Sequence, residues 1–251
     1  MDQSNPKNYV QNEQEFFTML EEYFNSSSGS FNEKMYAFPR FVPRQALSYF
    51  LARNTVFQKI INIHGSILDF GIYRGASFFT WQQLSALYEP YNHIRKVIGF
   101  DSFEGFSNLA PEDNGSEGAN LALKEKGGMA YDGAAEIKQG IEMQDKNRPL
   151  GHVEKGILVE GELPGIFSDY LGKHPELVVS LANFGLGLYE PTLEILKLLK
   201  PRLVKGSVVV FEDINQATWP GETKAFFEVF GNQQSLQRSP VCPHISWIEI
   251  G

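Results

Sequence analysis

Four short stretches hold the residue types that could do chemistry. The first is Asp69-Phe70-Gly71-Ile72-Tyr73-Arg74-Gly75-Ala76-Ser77. Its glycines are spaced Gly-x-x-x-Gly, not the Gly-x-Gly-x-x-Gly that cradles a diphosphate. Glycine permits a tight turn and lets a ligand approach the backbone closely. The spacing therefore suits a nucleoside with no diphosphate, or a tight turn alone. The second is Gly99-Phe100-Asp101-Ser102-Phe103-Glu104-Gly105-Phe106. An acidic residue at the end of the strand after a glycine turn can accept hydrogen bonds from both hydroxyls of a ribose. Asp also caps helices and turns; with the glycine turn upstream, the ribose role is the expectation for Asp101.

The third stretch is Glu160-Gly161-Glu162. Either carboxylate could meet the same ligand or face solvent, and Glu162 is the candidate. The fourth is Phe211-Glu212-Asp213-Ile214-Asn215. Adjacent carboxylates at a strand end offer hard oxygen ligands of the kind Mg²⁺ takes, and Asp213 is also a candidate base. Their plain reading is helix capping beside Trp219-Pro220-Gly221-Glu222. Histidines 64, 93, 152, 174 and 244 show neither metal-pair spacing nor a place after a core strand. No Gly-x-Ser-x-Gly elbow is present.

These stretches need a framework, and hydrophobic patterning supplies one. Short apolar strands are expected at 66–70, 96–100, 156–160, 177–184 and 207–211, with helices at about 77–88 and 191–200. Continuous apolar strands alternating with helices argue an α/β fold, a mostly parallel sheet with helices on both faces. Residues 236–250 could close it as a hairpin. Residues 1–64 read as a polar arm, an amphipathic helix at 15–24, a Ser/Gly linker at 26–30 and a second helix at 44–63. The sheet domain then spans 65–251. Within it, residues 107–150 form a long polar, glycine-bearing connection of the kind that serves as a lid, with one weak helix pattern at 134–143.

The chain has 251 residues and a formal net charge of −8, which disfavours nucleic acid as the main partner. Cys242 is the single cysteine, so neither a disulfide within the chain nor a cysteine zinc cluster can form. Met1 to Val10 lack an apolar signal core, and no run reaches the roughly 18 apolar residues of a membrane helix. A cytoplasmic location without membrane contact is the expectation.

Five pieces in order, Phe41-Val42-Pro43-Arg44-Gln45, the Gly-x-Tyr-Arg-Gly turn, Gly99 to Phe106, Leu188-Tyr189-Glu190-Pro191-Thr192 and Trp219-Pro220-Gly221-Glu222-Thr223, resemble the macrocin O-methyltransferase family of sugar methyltransferases in antibiotic biosynthesis. The match runs from about Phe38 to the C-terminus. The resemblance implies a class I, Rossmann-like methyltransferase domain, S-adenosylmethionine as cofactor and Mg²⁺ gripping two sugar hydroxyls. It also implies a deoxysugar on a natural product as small-molecule acceptor, and a homo-oligomer. Carried across, Asp69, Phe70, Gly71, Tyr73, Gly75 and Ser77 would hold the methionine part. Asp101 would hold the ribose, Ser102 and Phe103 would lie near the adenine, and Glu212 and Asp213 would be metal ligands.

One departure stands out. Where the family's fourth strand ends Asp-x-Asp-Leu-Tyr, this chain reads Gly185-Leu186-Gly187-Leu188-Tyr189. Residues two apart on a strand point to the same side, so both glycines would remove carboxylates from beside the metal. The alternative to an active enzyme is therefore a cofactor-binding homologue with impaired catalysis. A nicotinamide-dependent oxidoreductase is disfavoured by the missing diphosphate loop.

Overall fold

The computed structural model describes residues 11–115 and 125–251. They fall into two compact units, Met1–Ser48 and Tyr49–Gly251. In the first, helix α1 (Gln11–Ser26) is followed by a short helix α2 (Phe31–Tyr36) that the Ser/Gly run masked. Ser30 ends that run and begins α2. Its Oγ accepts the Glu33 N–H at 3.4 Å, and Glu33 Oε2 accepts the Ser30 N–H at 2.7 Å. This reciprocal cap satisfies two N–H groups that a helix start leaves open. Helix α3 (Arg44–Ile60) begins here and continues into the second unit.

The second unit is a seven-stranded sheet: β1 (Ser66–Phe70), β2 (Val97–Asp101), β3 (Gly156–Glu160), β4 (Val179–Phe184), β5 (Leu203–Phe211), β6 (Gln237–Arg238) and β7 (Ser246–Glu249). Their order across the sheet is β3-β2-β1-β4-β5-β7-β6. β1 to β5 pair in parallel, and the C-terminal hairpin adds antiparallel β7 and β6. The remaining helices are α4 (Ala76–Tyr88), α5 (Ala134–Asp145), α6 (Gly165–Lys173), α7 (Tyr189–Leu199) and α8 (Gly221–Phe230). Alternate strand residues feed two cores. Ile67, Val97, Leu181 and Val210 pack with Val56 and Phe57 of α3, Phe78 and Trp81 of α4 and Ile137 of α5. Leu68, Ile98, Ala182 and Val209 pack with Phe167 of α6, Ile195 and Leu196 of α7 and Phe226 of α8. The expected doubly covered sheet is present, while α6 and α8 were not foreseen.

Two details bear on the site. Strand order reverses between β1 and β4, and in open parallel sheets ligands bind outside the C-terminal strand ends at such a switch. The long 107–150 connection, moreover, is tied down at several points. Buried Asp113 accepts the Tyr189 N–H at 2.7 Å at the start of α7. Further on, the Gly127 N–H donates to Phe106 O at 2.8 Å, and the Tyr131 N–H to Phe103 O at 3.0 Å.

At the N-terminal strand ends, buried Arg95 is saturated. Nη1 donates to Gly65 O at 2.9 Å and to the Ser180 hydroxyl, Nη2 to Ile60 O and Ile63 O at 3.0 and 2.8 Å, and Nε pairs with Glu89 at 2.9 Å. Beside it, buried Lys155 donates to Asn92 O at 2.8 Å. A concavity of about 330 Å³ lies here, and the Arg95 guanidinium in its lining is already committed to these bonds.

Candidate active site

Strand register builds the opposite rim. Phe100, Phe70, Phe184 and Phe211 stand side by side across β2, β1, β4 and β5. Their rings form a continuous row, with neighbouring centroids 5.1, 5.1 and 5.5 Å apart. The next residue along each strand path forms the rim: Asp101, Gly71, Gly185 and Glu212. Carboxylates flank the switch point and the centre is bare. Gly71 has φ +80°, and a side chain on it would start 2.8 Å from Gly185 O. Only glycine fits there.

On the β2 side, Asp101 organises two loops. Its Oδ2 accepts the Tyr73 N–H and its Oδ1 the Phe103 N–H, both at 2.8 Å. Tyr73 and Phe103 have φ +47° and +60°, a left-handed conformation that is costly for such residues. Gly75, φ +80°, precedes α4 without a side-chain cap, so the first N–H groups of that helix are open to an anion. Tyr131 stands edge-on to Tyr73 at 5.8 Å, and the Arg74 guanidinium lies 4.4 Å from the Tyr131 ring centre.

Below the rim a polar chain crosses three strands. Asn183 pairs with Asp69 in register, and its Nδ2 donates to Asp69 Oδ1 at 2.7 Å and to Glu212 Oε1 at 3.0 Å. Glu212 Oε1 also accepts Arg53 Nη2, from α3, at 2.7 Å. Burial pushes the Asp69 carboxyl up to about 7; the Ser77 hydroxyl and Asn183 pull it down, and the Glu212 charge adds to the rise. Among the described residues, nine buried side-chain atoms lack a partner. Those on ionisable groups are Arg53 Nε, Asp69 Oδ2 and Glu222 Oε2, all at this end of the sheet.

Asp213 sits one step beyond Glu212. Its N–H donates to buried Glu222 Oε1 at 3.0 Å. Burial and the Glu212 charge push Asp213 up to about 6. Burial first and the Asp213 charge second push Glu222 well above the usual carboxylate range, favouring its neutral acid. A side chain at Gly187 would start 3.3 Å from Asp213 Oδ2 and 3.6 Å from the Trp219 ring, which lies 5.5 Å from that of Phe106.

The fold thus gathers Asp69, Gly71, Tyr73, Gly75, Ser77, Asp101, Ser102, Phe103 and Glu212 around β1, β2, β4 and β5, with Asp213 at the outer edge. The Phe70 ring lies in the core, leaving only its backbone near the rim. Glu162 is exposed, and its neighbour Glu160 is paired with Lys138. Arg53 and Asn183 escaped the sequence reading, and Glu222 entered it only within the Trp219-to-Thr223 stretch. A charged residue inside the apolar stripe of α3 and an amide inside an apolar strand were the available signals. The two glycines also differ from expectation. β4 ends at Phe184, and Gly187 takes φ +66°, so side chains at 185 and 187 would face Glu212 and Asp213 separately.

These donors fit magnesium poorly: the ion can be held by as few as one or two carboxylates with waters, but of the expected pair Glu212 is already committed and Asp213 stands alone. Glu212 Oε1 is held by Arg53 and Asn183, Glu222 is buried and favours its neutral form, and positions 185 and 187 offer no carboxylate. Among the described residues no group of three or more His, Cys, Asp or Glu is placed to hold a metal ion.

Sheet order, switch-point rim and uncapped α4 define a class I methyltransferase fold, and comparison with known proteins agrees. Residues 51–247 match the model of the macrocin-O-methyltransferase (TylF) family. The chain belongs to this family of O-methyltransferases. A crystal structure of CalS11, described as a calicheamicin methyltransferase, is 30% identical, with a TM-score of 0.90 over 97% of this chain and 94% of that one. An apo structure of CalS11, described as a TDP-rhamnose 3'-O-methyltransferase, is 29% identical, with a TM-score of 0.82 over 97% and 96%. The O-methyltransferase NovP shares the fold at 16% identity and a TM-score of 0.58, over 84% and 81% of the two chains. A comparison with curated proteins by sequence returned no match. No described helix is long and apolar enough to cross a membrane.

Proposed function

We propose that the protein uses S-adenosylmethionine to methylate a hydroxyl of a deoxysugar or related natural product. The observation that carries this reading is the rim: bare Gly71 and Gly185 at the switch point, with Asp101 on one flank and the open α4 N-terminus beside it. The donor set fits the cofactor. The α4 N–H groups would hold its carboxylate, Asp101 its ribose hydroxyls, and Ser102 and Phe103 would border its base. When bound, the cofactor supplies an electrophilic methyl group. This chain's task is then to align the acceptor and relieve its hydroxyl of a proton. Asp213 is the group for that proton. Its pKa of about 6 leaves it ionised at neutral pH yet more basic than an ordinary carboxylate. Trp219 and Phe106 offer an apolar wall against which a sugar ring can lie. The sugar class rests on the CalS11 relationship.

A second reading, a cofactor-binding homologue with impaired turnover, is favoured by Gly185 and Gly187. Calorimetry with S-adenosylhomocysteine, followed by turnover on nucleotide-linked and aglycone-linked deoxysugars, separates the two. Binding with turnover supports the enzyme; binding without turnover on any acceptor supports the second reading; no binding removes both. Self-association belongs to the same proposal, supported by exposed Phe16, Met19, Phe31 and Tyr36 in the first unit.

A further inference from the structure

We infer that Arg53 is the fixed counter-charge of Glu212 at the acceptor end, a positioning residue that holds this carboxylate and disfavours a divalent cation there. The inference rests on the methyltransferase reading and starts from a misfit. Arg53 lies on α3 among Ala52, Val56, Phe57 and Ile60, all inside the core. A guanidinium there stays charged and requires a partner. That partner is Glu212, at 2.7 Å, and the guanidinium also sits 5.2 Å from the Tyr49 ring centre. Asn183 Nδ2 donates to the same carboxylate oxygen at 3.0 Å.

Glu212 is therefore neutralised and oriented from below before any ligand arrives. A divalent cation on it would face a buried positive charge that cannot leave by losing a proton. The two places that could outweigh that charge are Gly185, whose side chain would start 3.9 Å from Glu212 Cδ, and Gly187, beside Asp213. Both are bare. The result is a rim in which Arg53 cancels the charge of Glu212, while Asp213 keeps a carboxylate free for the acceptor.

The test is titration of the chelator-treated protein with Mg²⁺ and Mn²⁺, followed by calorimetry and by the Mn²⁺ paramagnetic resonance signal, with and without S-adenosylhomocysteine. The parent should show no saturable site at millimolar metal, and a chelator should leave S-adenosylhomocysteine affinity unchanged. Arg53→Lys, which keeps the charge, should behave like the parent. Arg53→Gln should acquire saturable Mn²⁺ binding, a gain that loss of packing would not produce. Micromolar metal binding by the parent, or turnover lost on chelation and restored by Mg²⁺, would overturn the inference. Should Arg53→Gln fail to fold, the parent titration decides alone. Absence of S-adenosylhomocysteine binding would remove the functional reading, while the metal titration would still report on Arg53.

Discussion

Two arginines are buried in the second unit, at opposite ends of one sheet, and their surroundings differ. Arg95, at the N-terminal strand ends, has every nitrogen bonded to a carbonyl, a hydroxyl or a carboxylate. Arg53, at the C-terminal ends, leaves Nε unpaired, and Asp69, Asn183 and Glu222 each leave an oxygen unpaired nearby. An unmet buried polar atom costs roughly 1–3 kcal/mol. The Arg95 guanidinium is closed for stability, although Gln82, packed against Gly156 at the same end, leaves both amide atoms unpaired. The opposite end retains open bonding capacity, left-handed Tyr73 and Phe103, and carboxyls pushed toward neutral pH. Broken local rules gather where ligands are handled.

Removing the saturated arginine should have the largest effect. Arg95→Met strands Glu89 and several carbonyls, and a loss of about 3–5 kcal/mol is expected, the scale for breaking a buried pair. Urea unfolding measures it, and a loss below about 1 kcal/mol would mean the N-terminal end is not the structural one. S-adenosylhomocysteine affinity of the folded fraction should not change.

Lys155 sharpens the same contrast through pH. Burial lowers its pKa from 10.5 to about 8. Below pH 8 both states carry the proton, and the folded state bears the full cost of the buried charge. Between pH 8 and 10.5 the unfolded chain binds more protons, so stability should rise with pH. The rise is on the order of 3 kcal/mol at most. It should vanish in Lys155→Met, and parallel stability–pH curves for parent and variant would contradict it.

At the open end, Asp101→Ala should weaken S-adenosylhomocysteine by about 1.5–3 kcal/mol, the scale for a charged acceptor. It also frees the Tyr73 and Phe103 N–H groups that fix the two loops. Calorimetry checks the affinity, and an unchanged value would move the ribose site elsewhere. The double change Gly185→Asp, Gly187→Asp should cost about 1–3 kcal/mol of stability, from φ +66° at 187 and from a Cβ at 185 that would start 3.1 Å from Gly71 O. Two added carboxylates exceed what Arg53 can neutralise, so saturable Mn²⁺ binding should appear, read by the same titration.

The glycine turn and Asp101 were legible because contiguous residues carry the backbone demands: φ +80° at Gly71 and Gly75, and an acid at a strand end. β1, β3 and the C-terminal hairpin were legible from apolar runs. The chain Arg53–Glu212–Asn183–Asp69 was not, because it joins residues as much as 159 positions apart and exists only through strand register and the packing of α3 on the sheet. Helix α8 was marked only by the capping residues beside Trp219-Pro220-Gly221, and α2 was hidden behind a serine run. The local conformation at Gly187 was invisible too, since Gly-Leu-Gly-Leu reads as a strand continuing.

Hydrogen exchange of the whole chain, with and without S-adenosylhomocysteine, tests most directly which end is functional. Protection is expected at residues 70–77 and 101–106, extending to 125–131 through the bonds from Gly127 and Tyr131, with no change at 60–65 or 92–96 around Arg95. Unchanged exchange at the rim, or protection centred on the Arg95 end, would contradict the account.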